Sequence, residues 1–186
     1  MRKEFSVWES AKFFKREIKE VEKVKRVAII TASDAGFRGK REDLSGPKII
    51  EIIEKFGYTK ADYQIFPDEQ DILEKAMIQL VDHGDVDLIL TTGGTGFSKR
   101  DCTPEATKKV LERETPGIPE AMRFFSMQFT KRAMLSRAVA GIRKNTLIVN
   151  LPGSPKAVAE CLEYILPEID HGLEILLDEV NNCARK

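Results

Sequence analysis

Cysteine is scarce in this 186-residue chain: Cys102, Cys161 and Cys183 are odd in number and far apart. That spacing excludes a disulfide ladder and a Cys-x-x-Cys metal pair, and points to a reducing, cytoplasmic setting. Histidine is scarcer still, with only His83 and His171. Both fall on or beside expected helices, so no Ser-His-Asp arrangement can be assembled and histidine-based hydrolysis is not expected. Charge of one sign is also lacking, because 30 basic and 30 acidic residues cancel to a formal net charge of zero. No overall cationic field exists to hold nucleic acid or an anionic membrane surface, and any anion must be bound locally. No segment reaches the roughly 18 apolar residues of a membrane span, and the N-terminus lacks the continuous apolar stretch of a signal peptide. The chain reads as soluble, with neither nucleic acid nor membrane as a partner.

What is present is an apolar fraction of 42%, enough for one buried core in a single domain of ordinary size. Residues 1–24 stand apart: Trp8, Ala11, Phe14, Ile18 and Val21 recur at helical spacing with Lys and Glu between them. They predict an amphipathic helix whose apolar stripe covers this domain or a neighbouring subunit. From Arg26 onward strands and helices alternate. "VAIIT" at 27–31 is a strand buried on both faces, and Ser45 caps a helix with Pro47 in its first turn, Ile49, Ile52, Ile53 and Phe56 on one face, and Gly57 at its end. A strand around Tyr63–Phe66 precedes a helix marked by Ile72, Ala76 and Leu80 and ended near Gly84, and Val86–Thr92 forms a third strand.

Helices follow near Pro104 and over Ile118–Phe129, then two closely spaced strands, Ala138–Ile142 and Thr146–Asn150, which suit a hairpin. Ser154 and Pro155 start a long helix with Pro167 marking a bend or break. The pattern predicts a mostly parallel sheet with one antiparallel strand, covered by helices, with ligands outside the C-terminal ends of the strands.

Three strand ends carry chemistry. In "TTGGTGFSKRDCTPEA", Gly93, Gly94 and Gly96 permit a backbone cradle for a phosphate, or equally a tight strand-to-helix turn. The P-loop and dinucleotide patterns both fail, at Ser98 and Lys99 respectively. Lys99 and Arg100 would offset phosphate charge, while Asp101 either holds a metal ion or a proton or favours the start of the helix at Thr103 and Pro104. Asp68 in "FPDEQD" has the same two readings: an N-cap with Asp71 three residues on, or, with Asp101, a pair of carboxylates suited to Mg²⁺ and substrate phosphates. "NLPGSPK" places Asn150, Pro152 and Gly153 before a helix N-terminus with Lys156 in its first turns, again favourable for an anion.

"TTGGTGFSKRDCTPEATKKVLERETPGIPEAM", "AMLSRAVAGIRKNTLIVNLPGSPKAVAECLEYILPEIDHGL" and "PDEQ" resemble the molybdopterin adenylyltransferases, the MogA/MoaB family and the G domain of gephyrin-type proteins. The match covers roughly residues 25–176. It implies a three-layer α/β/α sandwich, usually trimeric, with residues 25–178 as the molybdopterin- and nucleotide-binding domain between the extension 1–24 and a tail at 179–186. Members of its catalytic branch attach AMP from Mg-ATP to the terminal phosphate of molybdopterin and release pyrophosphate. The resemblance implies Asp68 and Asp101 as catalytic and Mg²⁺-binding, and Gly93, Gly94, Thr95, Gly96, Asn150, Pro152 and Gly153 as nucleotide-binding. For the pterin it implies Ser33, Asp34, Asp43, Ser126 and Ser136, with Cys102 a packed side chain. Contact with a molybdate-inserting enzyme is a further implication. The alternatives are a MoaB-like carrier that binds pterin but adenylates poorly, and an assembly module.

Overall fold

The computed structural model describes residues 24–177. The helix expected over residues 1–24 lies outside the described residues except for Val24, as do the tail at 179–186 and Cys183. The chain runs β1 (Arg26–Ala32), α1 (Asp34–Phe37), α2 (Ser45–Lys55), β2 (Thr59–Phe66), α3 (Gln70–Asp82), β3 (Leu88–Thr92), α4 (Thr103–Val110) and β4 (Arg113–Glu114). It continues through α5 (Gly117–Ser126), a 3₁₀ turn (Lys131–Leu135), β5 (Ala140–Arg143), β6 (Thr146–Leu151) and α6 (Pro155–Leu176).

β1 beyond Arg26, β3 and β6 are buried at every position, the signature of parallel strands covered on both faces. The sheet order is β2-β1-β3-β6-β5-β4. The pairs β1–β2, β1–β3 and β3–β6 are parallel, whereas β5 is antiparallel to both β6 and β4. A single reversed strand therefore makes the sheet mixed, as the closely spaced pair at 138–150 predicts. Lys144, at φ 51°, turns the hairpin between β5 and β6.

Alternation along each strand divides the interior in two. Val27, Ile29, Leu90 and Val149 meet Ile49 and Ile53 of α2 and Leu162, Leu166 and Leu173 of α6. On the other face Ala28, Ile30, Ile89 and Ile148 meet Leu73 and Met77 of α3 and Ala106 and Val110 of α4. Each of the large side chains among these contributes about 1.5–3 kcal/mol by leaving water. The result is the expected three-layer sandwich.

Several local expectations are corrected. Ser45 is not the cap of α2: the Asp43 carboxylate accepts the N–H groups of Ser45 and Gly46, while the Ser45 hydroxyl donates to the carbonyl of Gly153. Phe56 is exposed, because α2 ends at Lys55 and turns out through Gly57 at φ 84°. The buried face of α3 is Leu73, Ala76, Met77 and Val81, one residue on from Ile72 and Leu80. That helix starts after Glu69, which leaves Asp68 outside it and removes the capping role considered for Asp68 and Asp71. α6 continues unbroken through Pro167.

Candidate active site

The C-terminal ends of β1, β2 and β3 and the turn after β6 open onto one cleft of about 290 Å³. The glycines after β3 are there because nothing larger fits. Gly93 has φ 89°, and a Cβ on it would stand 2.3 Å from the carbonyl oxygen of Ala32 at the end of β1. Gly94 has φ 62°, and its Cβ would stand 2.4 Å from Oγ1 of Thr103. Left-handed backbone and missing side chains together let the loop turn tightly across the sheet edge. Ser33, Asp43, Asp68, Gly93, Gly94, Asp101 and Gly153 all line this cleft.

Asp68 and Asp34 are tied to each other through the backbone. The N–H of Asp34 donates to Oδ2 of Asp68 at 2.8 Å, and the N–H of Asp68 donates to Oδ1 of Asp34 at 3.3 Å. Burial and the nearby charges of Asp34 and Asp101 push the Asp68 carboxyl above its ordinary range. Arg100 relieves part of this charge. Its Nε and Nη2 donate to the two oxygens of Asp34 at 3.0 and 3.1 Å, and Nη2 also reaches Glu69 at 2.7 Å. Those hydrogen bonds hold the Asp34 carboxyl below its usual range. Arg100 therefore neutralises carboxylates of the protein rather than facing the cleft, and Lys99 is exposed beside it. The cation lining the cleft is Arg41, from the loop after α1.

Asp43 is held from several directions. Besides the two backbone donors of α2, the hydroxyls of Thr31 and Tyr63 donate to its Oδ2 at 2.6 and 2.7 Å. Burial pushes its carboxyl up, but these four sources of hydrogen bonds outweigh burial and hold it below its ordinary range. Thr31 and Tyr63 gave no sequence signal, since each sits in a strand as an ordinary β-former. Ser33 caps α1, its hydroxyl accepting the N–H of Gly36 at 3.0 Å.

The remaining expected residues divide. Ser126 and Ser136 line a second cavity of about 300 Å³, together with Thr95, Gly96 and Pro152. Its other walls include Met122, Leu135 and Cys161, with Arg123, Arg132 and Glu160 among the polar groups, a largely apolar slot of the kind that takes a small molecule. Asn150 lines neither cavity. It is fully buried, donating to Thr91 and Thr107 hydroxyls at 2.9 and 2.8 Å and accepting the N–H of Val139 at 3.2 Å. The loop 93–96 is the partition between the two spaces. Arg137, which sequence reasoning passed over, holds the end of that loop through the carbonyl of Gly96 and reaches on to the carbonyl of Asp101.

The donor set suits a hard divalent cation. Oδ1 of Asp68 lies 3.2 Å from the position of a Cβ on Gly94, and Oδ2 of Asp101 lies 2.9 Å from that of a Cβ on Gly96. Both carboxylates thus face the glycine loop, where a bound cation would offset their mutual repulsion. Two carboxylate ligands, with the rest of the shell left to phosphate and water, match the preference of Mg²⁺. Cys102 does not belong to this set: burial, with the nearby Asp68 charge, pushes its thiol up to about 11, so it stays protonated.

Known proteins share both this sequence and this fold. A family model described as "Probable molybdopterin binding domain" matches residues 28–171. A molybdopterin adenylyltransferase of Helicobacter pylori is 44% identical over 153 residues, which is 81% of this chain and 87% of that protein. The molybdopterin adenylyltransferase of Escherichia coli K12 is 43% identical over 142 residues, 75% of this chain and 73% of that protein. Among solved structures, the molybdopterin biosynthesis enzyme MoaB of Thermus thermophilus superposes with a TM-score of 0.79 at 46% identity, covering 83% of this chain and 98% of that one. With the fold, the glycine-lined cleft and these similarities in agreement, the chain belongs to the molybdopterin-binding domain family of molybdenum cofactor biosynthesis.

Proposed function

We propose that this protein is a molybdopterin adenylyltransferase, transferring AMP from Mg-ATP to the terminal phosphate of molybdopterin with release of pyrophosphate. The observation that carries this reading is the convergence of Asp68, just after β2, and Asp101, in the loop after β3, on a cleft lined by Gly93 and Gly94. The similarity to adenylyltransferases over most of the chain supports it.

The chemistry is positioning and electrostatics. A pterin phosphate is already an anion near neutral pH, so no strong general base is required; the barrier lies in bringing two anions together. Mg²⁺ held by Asp68 and Asp101 would supply positive charge to the phosphates. The N–H groups of the glycine loop would hold phosphate oxygens and Arg41, which lines the same cleft, would neutralise a further charge. The apolar second cavity, with Ser126 and Ser136 at its walls, takes the flat ring system, while the phosphate reaches across the partition at Gly96. The same reading takes the protein as a cytoplasmic homotrimer that hands its product to a molybdate-inserting enzyme, as the resemblance in sequence implies. Among the described residues no helix is long and apolar enough to cross a membrane.

The test is anaerobic incubation with molybdopterin, ATP and Mg²⁺, following adenylylated pterin by mass spectrometry. Wild type forms the product and folded Asp101→Asn does not. Pterin binding without product would instead make the protein a MoaB-like carrier.

A further inference from the structure

The loop that separates the two cavities is soft by composition, with left-handed glycines at 93 and 94. Its far end is nevertheless fixed, and by one side chain. The backbone N–H of Arg137 donates to the carbonyl of Thr95 at 2.9 Å. Its Nε donates to the carbonyl of Gly96 at 2.6 Å, and its Nη2 to the carbonyl of Asp101 at 2.8 Å. Nη1 pairs with the carboxylate of Glu105 on α4, which orients the fork. Two carbonyls five residues apart in sequence thus meet a single planar cation. Within that span the turn closes on itself, the N–H of Ser98 donating to Oδ2 of Asp101 at 3.1 Å and the N–H of Asp101 to the carbonyl of Ser98 at 3.0 Å.

The position of Arg137 in the chain makes the clasp a link. It directly follows Ser136, which lines the apolar cavity, whereas Asp101 lines the phosphate cleft. We propose that Arg137 is a positioning residue for the transfer reaction: it locks the Asp101 loop to the Ser136 segment and so fixes the spacing of the two cavities. This inference rests on the adenylyl-transfer reading above. A rigid fork is required because a lysine, with one compact ammonium, cannot hold both carbonyls in the same geometry. Two reactants held in adjoining pockets react only while their separation is maintained, and a shift of about 1 Å costs roughly 100-fold in rate.

The test compares wild type, Arg137→Ala and Arg137→Lys in three measurements: thermal midpoint, amide hydrogen exchange over residues 95–103, and steady-state adenylylation with molybdopterin and Mg-ATP. The inference expects kcat of Arg137→Ala to fall roughly 100-fold with KM for both substrates nearly unchanged. Arg137→Lys recovers about tenfold of that loss. The amides of Ser98 and Asp101 exchange faster in the alanine variant while the midpoint stays close to wild type. Turnover within about twofold of wild type in a folded alanine variant overturns the inference, as does a loss of turnover with unchanged loop exchange. If the alanine variant does not fold, Arg137→Lys carries the comparison by the same criteria. A wild-type protein that forms no product overturns the assigned reaction instead, and exchange at Ser98 and Asp101 then decides whether Arg137 orders the loop.

Discussion

Asp34 and Asp68 exchange backbone-to-carboxylate hydrogen bonds, N–H of the first to Oδ2 of the second at 2.8 Å and the reverse at 3.3 Å. This reciprocal pair joins the ends of β1 and β2 and fixes where the Asp68 carboxylate stands. It also confines two negative groups to one corner, with Asp101 a third across the cleft. Ionising Asp68 in that corner costs stability, which suits a site that receives a cation.

Asp68→Asn should therefore separate function from folding. The amide oxygen still accepts the Asp34 N–H, but the charge is gone, and transfer falls roughly 100- to 1,000-fold. The sign with pH follows from the raised pKa of Asp68. A carboxyl raised on folding favours the folded state below its unfolded pKa, and that contribution is lost as pH rises through the folded value. The variant is accordingly at least as stable as wild type at about pH 7 to 8, and its advantage shrinks toward about pH 4. Thermal midpoints across that range, beside product formation, check both halves; a variant less stable than wild type at neutral pH would contradict the account.

Much of this arrangement was legible in the residues, and the misses share a cause. Strand and helix order followed from periodicity because the central strands are apolar on both faces and the helices on one. The glycine loop, Asp68 and Asp101 stood out because glycine and carboxylate at a strand end are costly unless used. Arg100 and Asn150 were misplaced because a sequence gives the loop a side chain starts from and not the partner it finds. Arg100 turns to Asp34 and Glu69, and Asn150 turns down into the core. Arg137, Thr31 and Tyr63 were invisible for the same reason: their partners lie 20 or more residues away along the chain, apart from the Thr31–Asp43 pair at a separation of 12.

Asn150 has the chemistry of a structural hub. Replacing it with alanine removes the acceptor for the Val139 N–H and the donor shared by the Thr91 hydroxyl of β3 and the Thr107 hydroxyl of α4. Buried groups left without partners cost about 1–3 kcal/mol each, less whatever local rearrangement recovers, so Asn150→Ala should lose about 2–4 kcal/mol. Urea unfolding measures it directly. A loss under about 1 kcal/mol with turnover abolished would make Asn150 a ligand residue instead.

Asp43 predicts a signature in acid. Its carboxyl, held below the ordinary range by Thr31, Tyr63 and the α2 N–H groups against the opposing effect of burial, stabilises the fold above its unfolded pKa of about 3.9. That contribution disappears as pH falls through the folded value. Asp43→Asn keeps one backbone cap but cannot accept from both hydroxyls, so it is less stable than wild type at about pH 7 and converges on it below about pH 4. Equal stabilities at neutral pH would show that the hydroxyls find other acceptors.

Gly93 and Gly57 form a controlled comparison, since both have strongly left-handed backbone, φ 89° and 84°, in very different surroundings. At Gly57 an added Cβ meets nothing within 4 Å, so Gly57→Ala bears only the conformational cost, about 1 kcal/mol. At Gly93 the same Cβ would stand 2.3 Å from the Ala32 carbonyl, which belongs to a central strand and cannot yield without shifting β1 against β3. Gly93→Ala should lose about 2–4 kcal/mol. Because Gly94 and Gly153 border the same turn, the displaced loop also withdraws its N–H groups from the cleft, and nucleotide binding by titration weakens along with stability. Equal losses for the two alanine variants would mean that the loop moves freely past β1 and that the cradle is not fixed by the end of that strand.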